Sequence, residues 1–243
     1  MIQKKFKTIT GELSVAIPEK LDEISLGQLM ALQSASELSD LDAIQILSGV
    51  PLKNLKQVQD FNDFTEFNET ISSLALQISS LYNSNQIPDE ITFNIDNKLR
   101  KVKVAKNLSV EPAGAFMAAR DIIVEEMTRH AALNNNNDED WEHSFNPSLK
   151  ACSLILANYF YCRATQLPYD EELAEQFTAE IEKQPITSIL PIAKYFFLSF
   201  PNLSKPKTGF WHRLRRLWNK GLALKTLKSS GISTQLMHWP EGI

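Results

Sequence analysis

The sequence predicts a mainly helical α+β protein, and three observations lead there. Glycine is sparse, eight in 243 residues, which favours helices over a β-sandwich punctuated by glycine turns. Long stretches carry apolar residues at three- and four-residue spacing. Two short stretches alternate instead, and each is followed by helical spacing. These are Phe6 to Gln33 and, 87 positions later, Phe93 to Arg120. Laid over each other without a gap they match at Phe6/Phe93, Val15/Val102, Leu21/Leu108, Gly27/Gly114, Met30/Met117 and Ala31/Ala118. Six identities in 28 fall short of proving duplication, because similar packing needs produce similar residues. They do predict two hairpin–helix units, about 3–48 and 91–133, whose hairpins can pair in one small antiparallel sheet.

Residues 3–17 read as the first hairpin. Phe6, Thr8 and Thr10 alternate, Thr10-Gly11 offers a turn, and Leu13, Val15 and Ile17 alternate again. Pro18 stops the second strand, having no N–H for the ladder. Ser25 and Gln28 fit a capping box ahead of Leu26, Leu29, Met30 and Leu32. Ser39-Asp-Leu-Asp42 opens a second helix, with Gly49 as its C-cap and Pro51 beyond. From Asn62 to Tyr82, Phe64, Phe67, Ile71, Leu74, Ile78 and Leu81 mark an amphipathic helix. Ser84-Asn85 and Pro88-Asp89 end it.

Ile91 to Val104 is the second hairpin, turning at Asp96-Asn97. Pro112 suits the first turn of a helix running to about Leu133. Asn134 to Asp140 is polar and acidic, and reads as a loop. Pro147 starts a helix through Cys152 and Phe160 that Leu167-Pro168 ends. Glu171 to Glu182 is read as one short helix. Ile186 to Phe200 is apolar on most sides, which predicts burial.

Charge divides the chain in two. Residues 1–204 hold seventeen Lys/Arg and twenty-eight Asp/Glu, a balance of −11. Residues 205–243 hold eight basic side chains and one acid, a balance of +7. The predicted organisation is therefore an acidic helical body, 1–204, and a basic amphipathic tail, 205–243. Within the tail, Trp211, Leu214 and Trp218 share a helical face, while Arg213, Arg215, Arg216 and Lys220 occupy the rest. That pattern suits a partner protein's groove, packing on the body, a nucleic-acid backbone or an anionic membrane surface. These seven residues are the candidate partner-binding set.

Nothing in the sequence assembles a catalytic, cofactor or metal site. GxGxxG, GxxxxGK[ST] and GxSxG are absent. Neither His130, His143, His212 nor His238 stands at a ligand spacing from another His or Cys. Glu125-Glu126, Asp138-Glu139-Asp140 and Glu171-Glu172 with Glu175 read as solvated surface. Gly27 and Gly114 offer either anion binding at helix starts or close approach of a helix to the hairpin, and packing is favoured. Cys152 and Cys162 lie ten apart on one helix, about 15 Å along its axis, too far for a disulfide. They read as core thiols of a reducing compartment. No apolar segment approaches the roughly 20 residues of a membrane span, and the N-terminus has no apolar signal core. These readings predict a non-enzymatic protein with no membrane span.

The order IPEKLDEISLGQLMAL, DLDAIQILSGVP, a second strand pair and helix, then ACSLILANYFYCR and YDEELAEQFTAEIEKQPITSILPIAKYFFLSF is similar to small helical proteins encoded among the structural genes of tailed phages. Tail-assembly chaperones and neck or tail components are the nearest kinds. The resemblance covers about 12–203 and leaves the basic tail unmatched. It implies a part in particle assembly, other phage structural proteins as partners, homo-oligomers that are often rings, and production in the host cytoplasm, with a place in the virion open. It supplies no catalytic residue.

Overall fold

A computed structural model describes residues 1–9, 11–35, 38–59, 64–81, 86–105, 111–133 and 147–199. All belong to one compact unit, Met1–Ser199. Strands β1 (Ile2–Thr8) and β2 (Gly11–Ile17) form an antiparallel hairpin. A single 3₁₀ turn at Leu21–Glu23 leads to α1 (Leu26–Ser34), α2 (Asp40–Ser48), α3 (Leu52–Leu55) and α4 (Thr65–Leu81). The second hairpin is β3 (Glu90–Ile95) with β4 (Lys98–Lys103). Then follow α5 (Ala113–Leu133), α6 (Leu149–Thr165), α7 (Glu171–Gln176), α8 (Thr178–Glu182) and α9 (Ile186–Ser199). The chain is mainly α, with two small antiparallel sheets.

The local sequence signals act as local structure. Ser25 Oγ accepts from the Gln28 N–H, and Gln28 Oε1 accepts from the Ser25 N–H. Ser39 and Asp42 repeat this reciprocal cap on α2, each satisfying donors that a helix start otherwise leaves orphaned. Gly49 closes α2 at φ 71°, in the left-handed region where glycine carries no Cβ penalty. Asp96 and Asn97 both take positive φ, 52° and 60°, as a two-residue turn matched to the twist of its strands requires. Thr10, Ser84-Asn85 and the acidic run 134–140 lie outside the described residues.

The two hairpins share one register. β1 pairs Lys4 with Val15 and Thr8 with Gly11, while β3 pairs Ile91 with Val102 and Ile95 with Lys98. Every pair shifts by the same 87 positions, and α5 starts 87 residues after α1. Each hairpin turns one Phe inward. Phe6 stacks on Phe64 at 4.7 Å between ring centroids and meets Phe67 edge-on at 5.5 Å. Phe93 sits 5.2 Å from Phe160 and 5.4 Å from Phe177. All six rings are buried. Each buried Phe contributes about 1.5–3 kcal/mol by leaving water, and the ring contacts add about 0.5–1.5 kcal/mol per pair.

The hairpins do not join. They stand as two separate two-stranded sheets, which corrects the single-sheet expectation. Charge disfavours one of the possible junctions, β1 against β4. β1 carries Lys4, Lys5 and Lys7, and β4 carries Lys98, Arg100, Lys101 and Lys103. Pairing those strands would set like charges opposite one another, which destabilises a ladder, and lysine is a common guard of exposed edges. Each hairpin packs on helices instead. Phe6, Val15 and Ile17 share a core with Ile44, Leu47, Leu55, Phe64 and Phe67, and the second hairpin leans on α6.

Helix α6 is buried around nearly its whole circumference. Leu149, Ala151, Cys152, Ser153, Ile155 to Tyr161 and Ala164 are all buried, and α1, α5, α7, α8, α9 and both strands of the second hairpin pack on it. Its bounds differ from those expected. Ser148, one residue after Pro147, is the N-cap, and Gln166 ends the helix at φ 63° before Leu167-Pro168 is reached. The helix expected at 171–182 is two short ones. The chain turns tightly at Phe177, where the Glu180 N–H reaches the Phe177 carbonyl at 2.9 Å. That turn delivers the Phe177 ring to Phe93 and Tyr161.

Both paired glycines are close-approach positions, though neither faces its hairpin as expected. Leu26 N–H donates to the Gln184 carbonyl and Ile186 N–H to the Ile24 carbonyl. This two-residue bridge brings the first turn of α1 against the end of α8, where a Cβ on Gly27 would stand 3.3 Å from the Glu182 carbonyl oxygen. A Cβ on Gly114 would stand 2.6 Å from the Tyr169 ring. That ring cannot swing aside freely, because its hydroxyl donates to Asn158 Oδ1 at 2.7 Å. Gly114→Ala is therefore expected to destabilise the fold by about 1–3 kcal/mol, the usual cost of overpacking. In urea unfolding, the same change on a Tyr169→Ala background should cost less than half as much. Equal costs on the two backgrounds would disprove the clash.

Candidate functional site

The residues singled out as a contact surface, Trp211, Arg213, Leu214, Arg215, Arg216, Trp218 and Lys220, lie outside the described residues. So do His143, His212 and His238. Among the described residues, the buried polar and charged groups, Glu111, Glu126, Ser153 and Asn158, lie on α6 or pair with groups on it.

At the N-terminal end, Ser148 caps α6 with Oγ on the Ala151 N–H, 3.2 Å. Glu126, from α5, reaches across to the same residue. Its Oε1 accepts from the Ser148 N–H at 2.6 Å, and Oε2 from the Ser148 hydroxyl at 3.3 Å. Arg129, one turn along α5, donates to both oxygens. Burial alone would push the Glu126 carboxyl up. The hydrogen bonds from Arg129 and the Ser148 backbone outweigh it and hold the group below the ordinary glutamate range. Glu126 is only 6% exposed, which corrects its reading as solvated surface. Its apolar neighbours gave a helical period that counted it as one charge on a wet face, and the partner 22 residues away carries no local signal.

At the C-terminal end, Arg100 of β4 donates from Nη1 to the carbonyls of Ala164 and Thr165, 2.9 Å each. A cation there matches the negative end of the helix dipole. In the same last turn, Arg163 pairs with Glu111, donates to the Lys103 carbonyl at 3.2 Å, and lies over the Tyr159 ring at 5.1 Å. The Tyr159 hydroxyl accepts from the Ala105 N–H at 2.7 Å and donates to the Ala105 carbonyl at 2.8 Å. Burial raises the Glu111 carboxyl above its ordinary value, against the pull of the Arg163 guanidinium. Glu111, Arg100, Tyr159 and Arg163 were not singled out from the sequence. The available signal was Arg163, the one charge after Lys150 in a largely apolar helical run.

Chemically, these groups are clamps. Each buried carboxylate is bound by an arginine: both Glu126 oxygens hold donors from Arg129 and Ser148, and Glu111 Oε1 holds Arg163. The thiols point the same way. Burial first, then the nearby Glu126 charge, pushes the Cys152 thiol up to about 12, opposite to the shift that makes a nucleophilic thiolate. Cys162 is raised by burial and by Glu111. Both cysteines are free. Among the described residues, no cluster of three or more His, Cys, Asp or Glu is placed to hold a metal ion. No described helix is long and apolar enough to cross a membrane. Comparison with models of protein families, with curated proteins and with solved structures found no match.

Two outcomes test the clamps. A carboxyl held below its unfolded value adds stability above the ordinary glutamate range and loses it as pH falls through the lowered value. Glu126→Gln should therefore cost about 1–3 kcal/mol at pH 7, and the gap to the parent protein should narrow steadily as the pH is lowered through the glutamate range. A pH-independent gap in denaturant titrations would contradict the assignment. Thiol labelling offers the second check. Cys152 should stay unmodified in the native protein at pH 8 and react fully in denaturant, with peptide mass mapping to tell it from Cys162.

Proposed function

We propose that the protein is a non-enzymatic structural or assembly component of a tailed-phage particle, either a part of the portal–neck–tail assembly or a tail-assembly chaperone. It acts through protein–protein contacts, and the Trp/Arg stretch from Trp211 to Lys220 is the leading contact element. The observation that carries this reading is the segregation of charge, −11 over 1–204 against +7 over 205–243. A chain with opposite charge at its two ends attracts copies of itself and other acidic surfaces head to tail. Trp and Arg are also the residue types that anchor interfaces. The order of elements along 12–203, similar to that of phage assembly proteins, supports the same reading. Its partners are other phage structural proteins and further copies of itself. It is made in the host cytoplasm, and retention in the virion is part of the proposal to be tested.

Native mass spectrometry of the full chain, alone and co-expressed with the structural proteins encoded beside it, is the direct test. Oligomers or a complex are expected, and removal of Lys205 to Ile243 should abolish them. A monodisperse monomer that binds none of those proteins counts against the proposal.

The second reading is a nucleic-acid-binding module, favoured by the eight Lys/Arg of the tail. On that reading DNA binding falls steeply with salt, and replacing Arg213, Arg215 and Arg216 by Glu abolishes it. Absence of DNA affinity at low salt removes this alternative and leaves the assembly reading untouched.

A further inference from the structure

We draw no further inference here: the strongest candidate, the outer face of the second β-hairpin where Leu99 is 77% exposed beside Lys101 and Lys103, carries nothing because nothing in the structure shows what covers it.

Discussion

A helix buried around nearly its whole circumference must have its polar groups met largely by protein, and much of the described fold answers that demand from α6. Water has little access to the polar groups along its buried length, and an unmet buried polar group costs about 1–3 kcal/mol. Four separate elements supply the partners. α5 brings Glu126 to the helix start. β4 brings Arg100 to its end. The segment after β4 offers the Ala105 backbone to Tyr159. The segment before α7 sends Tyr169 to Asn158. The apolar residues of α6 say that it is buried, and the polar ones say where its neighbours must lie. Among the described residues Ser153 Oγ has no hydrogen-bond partner, so the demand is met at the ends and less completely in the middle.

The repeated hairpin–helix unit looks different in this light. Both copies keep the register, the inward Phe and the glycine at the second helical position. What surrounds them has diverged. The first copy seals an apolar cluster with α2, α3 and α4, and Leu13 packs against that cluster from the position opposite Phe6. In the second copy Arg100 takes the place opposite Phe93, and its side chain serves the end of α6. One scaffold therefore does two jobs, and the exchange of a leucine for an arginine at one paired position marks the difference. In each copy a Phe and a Val of the inward face are buried, Phe6 with Val15 and Phe93 with Val102, and the position opposite the ring is the one that differs.

How far the sequence could be read follows the range of the interactions. Ser25 with Gln28, Ser39 with Asp42, Gly49, and Asp96-Asn97 each act over four residues or fewer, and each was legible with its position. The stripe of Phe64, Phe67, Ile71 and Leu74 was legible because burial of one helical face imposes a period. The misreadings are long-range. Glu126 meets Ser148 from 22 residues away, and Arg100 meets Thr165 from 65. No local pattern separates such a carboxylate from one in water. The break at Phe177 failed for another reason. Leu173, Phe177 and Ile181 keep helical spacing, and Phe177 itself stays in the α region with both the Glu180 and Ile181 N–H groups on its carbonyl, so the division is a local tightening that leaves the period intact.

The same division bears on function. The buried ionisable groups Glu111 and Glu126 are committed to Arg163, Arg129 and the start of α6, and moving either would open a helix end. Groups tied to the fold in this way are poorly placed to change partners during a cycle of work. Charge at the surface carries no such obligation, since exposed pairs such as Lys5–Glu12 and Lys101–Glu90 contribute little, about 0–1 kcal/mol each. An acidic excess spread over such weakly held groups is available to another surface at little cost to stability. At physiological salt its reach is about 8 Å, so it selects and orients a partner near contact, and the affinity must come from apolar anchors. In the sequence, Trp211 and Trp218 flank Arg213, Arg215 and Arg216, so both kinds of group stand in one stretch.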